Sequence, residues 1–323
     1  MITPMKHCAS AACRSRGWGV VILSVSKAPL GPSCQSQQGA SEAKLQQWRT
    51  VMSTYVCSDI HGQYGLYKAM LQKIGFSDED QLYILGDVID RGPDGIRILQ
   101  DLLARPNVTC LIGNHEHMMW NYISRVVFKD LNWLHPSNGG TQTLSAYRKL
   151  SSADKASVKK YLSQLLLQVE LTVEGKTFLL SHSSYLSAFG TIKWRDQAIK
   201  KDDVTKVIWY SPWRSFEYAD PKEYRIDDRY HIIGHVPVLM IDSRYWQGGS
   251  MPEMPCFYYD SFNRIINIDL GCAMIPTIKG NPERFDETFK RIPSLCVLNL
   301  ERFAKEEENA ATYICGCDSC PDE

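Results

Sequence analysis

Apolar residues fall into short continuous runs that end abruptly in polar loops, and most runs precede a segment with helical spacing. In the sharpest, Leu82 to Leu85 breaks at Gly86 and delivers Asp87, Asp90 and Arg91 to one loop. A continuous apolar run bounded by Gly predicts a strand buried on both faces. Thr54 to Cys57 has the same character and ends in Ser58-Asp59-Ile60-His61-Gly62, and Val108 to Ile112 ends in Gly113-Asn114-His115-Glu116. Between these runs, Leu66, Met70, Leu71 and Ile74 predict a helix over about Tyr64 to Ile74. Ile96, Leu99, Leu102 and Leu103 predict another over about Asp94 to Leu103. Strands and helices alternating in this way predict parallel pairing through right-handed crossovers.

The middle of the chain is more helical. Helices are expected over Glu116 to Phe128 and Thr141 to Leu150, with Asn138-Gly139-Gly140 as a turn that could also approach a ligand. Val158 to Val169 reads as an amphipathic helix. A hairpin of Glu170 to Val173 and Thr177 to Leu180 turns at Glu174-Gly175 and runs into Ser181-His182. Short apolar segments follow at Val207-Ile208-Trp209, Ile232-Ile233-Gly234-His235 and Ile265 to Asp269. Ser294 to Leu300 reads as the last strand and Arg302 to Glu308 as a charged, solvated helix or tail. Residues 1–51 keep no sustained period and read as an unstructured leader. Gly19 to Val25 behind Lys6, Arg14 and Arg16 has a faint signal-peptide outline, but Lys27 sits where a cleavage site wants small residues. The expected organisation is a leader at 1–51, a folded domain at 52–300 and a charged, Cys-containing tail at 301–323.

Composition narrows the function classes. Lys+Arg and Asp+Glu are equal at 36 each in 323 residues, so no global basic field favours nucleic acid. No apolar run approaches the ~18 residues of a membrane span. The 11 cysteines are an odd number, and Cys57, Cys110 and Cys296 lie inside apolar runs, where a thiol acts as a small hydrophobe. That usage points to a reducing compartment and a cytoplasmic location. Cys315, Cys317 and Cys320 could bind a soft metal or act as a redox handle, though three thiols make a weak zinc pattern and an exposed tail is the simpler reading.

Five strand ends carry polar residues of one kind: Asp59 and His61; Asp87 and Asp90; Asn114 and His115; His182; and His235. Each alone suits an ordinary hydrogen-bonded loop. Together, behind apolar strands, they form a set of carboxylate, imidazole and amide donors suited to Mn, Fe or Zn, and the absence of Cys argues against a structural zinc site. The segments Asp59-Ile60-His61-Gly62, Gly86-Asp87-Val88-Ile89-Asp90-Arg91-Gly92 and Gly113-Asn114-His115-Glu116 closely resemble the three signature motifs of the calcineurin-like metallophosphoesterases, in particular the phosphoprotein phosphatase branch. His182 and Gly234-His235 match the later motifs in order and type.

The resemblance implies an α/β fold, a four-layer α/β/β/α sandwich with two mixed sheets and a dinuclear metal site at strand C-terminal ends. It implies that Asp59 and His61 bind one metal, that Asn114, His182 and His235 bind the other, and that Asp87 bridges both. The metals are expected to be divalent, Mn2+ first and Fe or Zn otherwise, holding a bridging water as nucleophile. His115 is then the leaving-group acid, oriented by Asp90, while Arg91 and Arg214 grip phosphate oxygens. His182 is followed by Ser-Ser where eukaryotic members have Gly-Gly, and Asn138-Gly139-Gly140 looks more like the phage lambda and bacterial serine/threonine phosphatases. Asp269 with Gly271 resembles the late Asp-x-Gly of the family, structural or near the site. The implied substrate is a phosphoprotein or a phosphorylated small molecule, with no nucleic acid and no membrane as partner. The leading reading is a serine/threonine protein phosphatase. The alternatives are a symmetrical diadenosine tetraphosphate hydrolase and, from another class, an inactive metal-binding module, against which the intact ligand set argues.

Overall fold

Every residue of the first strand, β1 (Thr54–Cys57), is buried, because it lies between two apolar clusters. Tyr55 and Cys57 belong to one cluster and Val56 to the other, the period-2 alternation of a pleated strand. This computed structural model describes residues 52–125, 132–212, 228–241, 256–284 and 294–316. The expected leader, the end of the helix expected to reach Phe128, Arg214, Cys317 and Cys320 lie outside the described residues.

Two mixed sheets form the α/β fold. In the first, the order is β11 (Ala311–Cys315), β10 (Ser294–Asn299), β1, β2 (Gln81–Ile84) and β3 (Val108–Cys110). The neighbours β1, β2 and β3 run parallel, as the alternation of strand and helix predicts, and β10 closes against β1 antiparallel. In the second, the order is β6 (Ile192–Lys193), β4 (Leu166–Val173), β5 (Lys176–Ser181), β7 (Tyr230–Ile233), β9 (Ile265–Asn267) and β8 (Tyr258–Asp260), with β5, β7 and β9 parallel. The sheets meet where Leu111 bridges Leu166 and Ile112 N–H donates to Leu166 O at 2.9 Å. One cluster, with Leu85, Phe178, Ile232 and Leu298, draws on strands of both sheets. The other packs the first sheet against α1 (Tyr64–Lys73), α2 (Gly95–Leu103), α3 (Asn114–Ser124) and α5 (Ser152–Gln164). The remaining helices are α4 (Gly140–Lys149), α6 (Lys201–Trp209), α7 (Ile275–Gly280) and α8 (Leu300–Ala304). None among the described residues is long and apolar enough to cross a membrane.

The structure corrects four local expectations. Leu103, the last residue of α2, is 42% exposed, and fully buried Ile98 completes the inward face instead. The helix expected over Val158 to Val169 begins earlier, where Ser151 Oγ accepts the Asp154 N–H at 3.1 Å, and ends before β4. Residues 166–169 are drawn into β4 because an eight-residue strand pairs on both edges, with β5 and β6, and ladder pairing outweighs local helical spacing. Val207-Ile208-Trp209, grouped with the strand-like segments, is the end of α6, whose inward residues Val204, Val207 and Ile208 recur at helical spacing. The strand at Ser294 is not the last. Asn299 Oδ1 accepts the Arg302 N–H at 2.9 Å and starts α8, which buries Phe303 and Ala304; β11 then pairs antiparallel with β10. The segment expected as a charged tail is in this part folded, because residues 311–315 find the free edge of β10 to pair with.

Candidate metal centre

The carboxyl ends of β1, β2 and β3 in one sheet, and of β5 and β7 in the other, open at one place. There α/β sheets collect their ligands. Backbone ladders carry the first two loops past the strand ends: His61 N–H donates to Asp87 O at 2.9 Å, Gly62 N–H to Val88 O at 2.9 Å, and Gly92 N–H back to His61 O at 3.0 Å. The loops turn in the left-handed region at Asp59 (φ 52°), His61 (46°), Asp87 (54°), Asp90 (68°), Arg91 (64°) and His235 (70°). Non-glycine residues adopt that region at a cost of about 1 kcal/mol or more apiece, and such strain concentrates at functional sites. Two glycines admit the close approach. A Cβ at Gly113 would strike Asp87 Oδ1, and one at Gly234 would strike Ser58 Oγ and Asp59 Oδ2.

Asp87 lies at the centre. Its Oδ2 is 3.6 Å from His61 Nε2, 3.5 Å from His182 Nε2 and 3.8 Å from His115 Nε2. Two groups able to hold a metal ion share it: His61, Asp87 and His115, and Asp87, His182 and His235. His182 Nε2 also lies 3.0 Å from Asn114 Oδ1 and 3.2 Å from His235 Nδ1. Asp59 Oδ2 accepts the His235 N–H at 3.0 Å and the Ser58 hydroxyl, while its Oδ1 is buried with no hydrogen-bond partner.

These atoms fit cations. His61 Nδ1 meets Ile89 O at 3.1 Å and His182 Nδ1 meets Leu85 O at 2.7 Å. A carbonyl only accepts, so both Nδ1 atoms carry the proton and both neutral rings turn an Nε2 lone pair toward Asp87. Burial keeps them neutral, pushing His61 well below the usual imidazole range and His182 below it. Burial, with the charges of Glu116 and Asp59, pushes the Asp87 carboxyl well above its usual range. Lone pairs and carboxylate oxygens pointing at one another repel unless a positive charge sits between them, and imidazole held by a carbonyl is the usual metal-ligand arrangement.

Of the expected site residues, the structure brings together Asp59, His61, Asp87, Asn114, His182 and His235, and beside them His115 and Asp90. His115 Nδ1 pairs with Asp90 Oδ2 at 2.7 Å, both side chains being buried. Arg91 follows on the same loop, half-buried, with its Nε unpartnered; Arg214 is outside the described residues. Asp269 is also buried here, its carboxyl accepting the Gly271 N–H at 2.8 Å and pushed well up by burial and by the charge of Asp59. Two residues escaped the sequence reading. Glu116 was noted only for its place after His115, yet its carboxylate binds the N–H groups of Asp87 (2.7 Å), Val88 (2.9 Å) and Gly113 (3.1 Å). Its signal was present: a Glu three positions after the residue that caps a helix, here Gly113, reaches back to that residue's N–H. Trp133, which donates to Asp90, had no signal beyond being aromatic.

Residues 52–239 match the family profile described as calcineurin-like phosphoesterase. A segment of 67 residues is 42% identical to a symmetrical bis(5'-nucleosyl)-tetraphosphatase of Buchnera aphidicola, covering 20% of this chain and only 24% of that enzyme. Serine/threonine-protein phosphatase 1 of Salmonella typhimurium is 31% identical over 196 residues, 59% of this chain and 80% of that protein. A crystal structure described as that of a candidate diadenosine tetraphosphatase shares the fold at TM-score 0.50 and 14% identity, over 84% of this chain and 96% of that one.

Proposed function

The chain belongs to the calcineurin-like phosphoesterase family, and from that premise we propose that it is a manganese-dependent phosphomonoester hydrolase acting on phosphoserine and phosphothreonine in proteins. The observation that carries the reading is Asp87 Oδ2, faced at 3.5 to 3.8 Å by three imidazole nitrogens, with a His115–Asp90 pair beside it. Asp59 and His61 would hold one cation, Asn114, His182 and His235 the other, and Asp87 both. Two divalent cations held there supply Lewis-acid activation of water and neutralise phosphoryl charge. The protein does the rest. Arg91 presents its guanidinium to the phosphate oxygens, and Arg214 is assigned the same task. Asp90 fixes His115 through Nδ1, which leaves Nε2 to protonate the departing alkoxide. The glycine-tight loops hold these groups before substrate arrives, so little reorganisation remains at the moment of reaction. The buried free thiols of Cys57, Cys110, Cys272 and Cys296 suit a reducing, cytoplasmic setting.

A second reading, hydrolysis of dinucleoside polyphosphates, is favoured by the likeness to the tetraphosphatases, which covers a short part of the chain. The test is turnover by the manganese-loaded protein. A phosphoserine peptide should be hydrolysed and diadenosine tetraphosphate left intact. Turnover of the dinucleotide alone would move the protein to the second reading, and turnover of neither with metal bound would reject both.

A further inference from the structure

Trp133 is fully buried, and its indole Nε1–H donates to Asp90 Oδ2 at 2.7 Å. The same oxygen meets His115 Nδ1 at 2.7 Å, whereas Asp90 Oδ1 is buried with no hydrogen-bond partner. An indole nitrogen donates and never accepts. It therefore holds Oδ2 as an acceptor and fixes the direction of the lone pair left for His115. The Nδ1 proton then sits between the ring and Asp90, and Nε2 is the nitrogen that faces the reacting centre.

The surroundings are built to keep the indole in place. The Asn138-Gly139-Gly140 turn, which the sequence marked as able to approach a ligand, approaches the chain itself. Gly139 adopts φ +71°, and a Cβ there would come within 2.6 Å of the Arg91 nitrogen. A Cβ at Gly140 would strike the Trp133 carbonyl oxygen and reach 2.7 Å from its Nε1. Thr143 Oγ1, on the helix that follows, accepts the Asp90 N–H at 3.1 Å. Tyr122 packs against the indole at 5.2 Å between ring centres.

We propose that Trp133 is a positioning residue for proton transfer, holding Asp90 so that His115 donates from Nε2. As the bond from phosphorus to the leaving oxygen breaks, its electron pair stays on that oxygen. The Nε2 proton of the His115 imidazolium moves to the same oxygen, and a neutral imidazole remains, its Nδ1–H still donating to Asp90. The inference rests on the reading of His115 as the acid.

The experiment compares a phosphoserine peptide with p-nitrophenyl phosphate, whose leaving group departs unprotonated, on samples of measured metal content. In Trp133→Phe, kcat on the peptide should fall about tenfold, with KM within about twofold and kcat on p-nitrophenyl phosphate within about threefold. Gly140→Ala displaces the indole without removing it and should give the same split, so it decides the matter if Trp133→Phe fails to fold. In a His115→Asn background, Trp133→Phe should cost nothing further, because the two act as one unit. Equal losses on both substrates, or an additive loss in that background, would overturn the role of Trp133 alone. A His115→Asn protein that itself shows no split would overturn the acid reading and this inference with it.

Discussion

Glu116 shows how much one side chain can set. It is fully buried, and its carboxylate satisfies the backbone N–H groups of Asp87, Val88 and Gly113, with Ile89 N–H at a longer 3.4 Å. Asp87 can thus sit at the centre of the site because a second carboxylate, one loop away, pins its backbone. Burial pushes the Glu116 carboxyl up while the Asp87 N–H pulls it down, so the backbone donors are what keep the charged form tolerable. In Glu116→Ala those donors are orphaned in a dry site at about 1–3 kcal/mol each. Urea unfolding should show a loss of about 3 kcal/mol or more, and the purified protein should carry less metal. Wild-type stability with full metal content would show that the loop is held by other means.

At the scale of the element, α3 couples the site to an acid-sensitive position. His117, on the flank facing Trp194 at 5.4 Å, is half-buried, and desolvation with the nearby Lys201 charge lowers its imidazole to about 4. The folded chain prefers the neutral ring, whereas the unfolded chain takes up a proton near pH 6.5. The stability this gives is complete above about pH 6.5 and is lost as pH falls from there toward 4, by up to about 3 kcal/mol. His117→Gln should therefore lose less stability than wild type between pH 7 and pH 4.5 in paired urea titrations. Identical losses in the two proteins would place the acid sensitivity elsewhere. Helix α6 turns a stripe of Val204, Val207 and Ile208 inward and leaves Trp209 41% exposed, its ring 6.0 Å from His235.

For the whole molecule, the centre lies at the seam of two sheets, so metal and fold are linked. Without a cation, Asp87 shares a buried space with the charges of Glu116 and Asp59, which disfavours its ionised form. A ligand that binds only the folded chain stabilises it by about 2.7 kcal/mol at 100 times its Kd. Chelation should lower the melting temperature and manganese should restore it. In Asp87→Asn, which lacks the shared carboxylate charge, manganese should raise the melting temperature little and turnover should be abolished. A full manganese-dependent rise in that variant, or near-wild-type activity with added manganese, would remove Asp87 from the centre of the site.

Most of the fold's grammar was legible along the chain. Continuous apolar runs marked β1, β2 and β3 as strands, though only β1 is buried at every residue, Tyr83 of β2 and Thr109 of β3 staying half-buried. The polar residues at their ends were the ones that converge, because strand direction alone places carboxyl ends together in a parallel sheet. Local spacing could not decide where β4 begins, since residues 166–169 suit a helix until β5 and β6 offer partners on both edges. Nor could it foresee β11, whose mixed composition reads as a tail until the edge of β10 is there to pair with. Five of the six residues with left-handed backbone, Asp59, His61, Asp87, Asp90 and His235, are of types that enter that region more readily than other non-glycine residues, but residue type does not say which Asp or His will do so, and Arg91 carries no such signal. The grip of Glu116 on a distant loop and the contact of Trp133 with Asp90 join residues 27 to 43 positions apart. Only tertiary structure could decide them, because a buried donor or acceptor takes the partner that space supplies, and spacing along the chain carries no record of it.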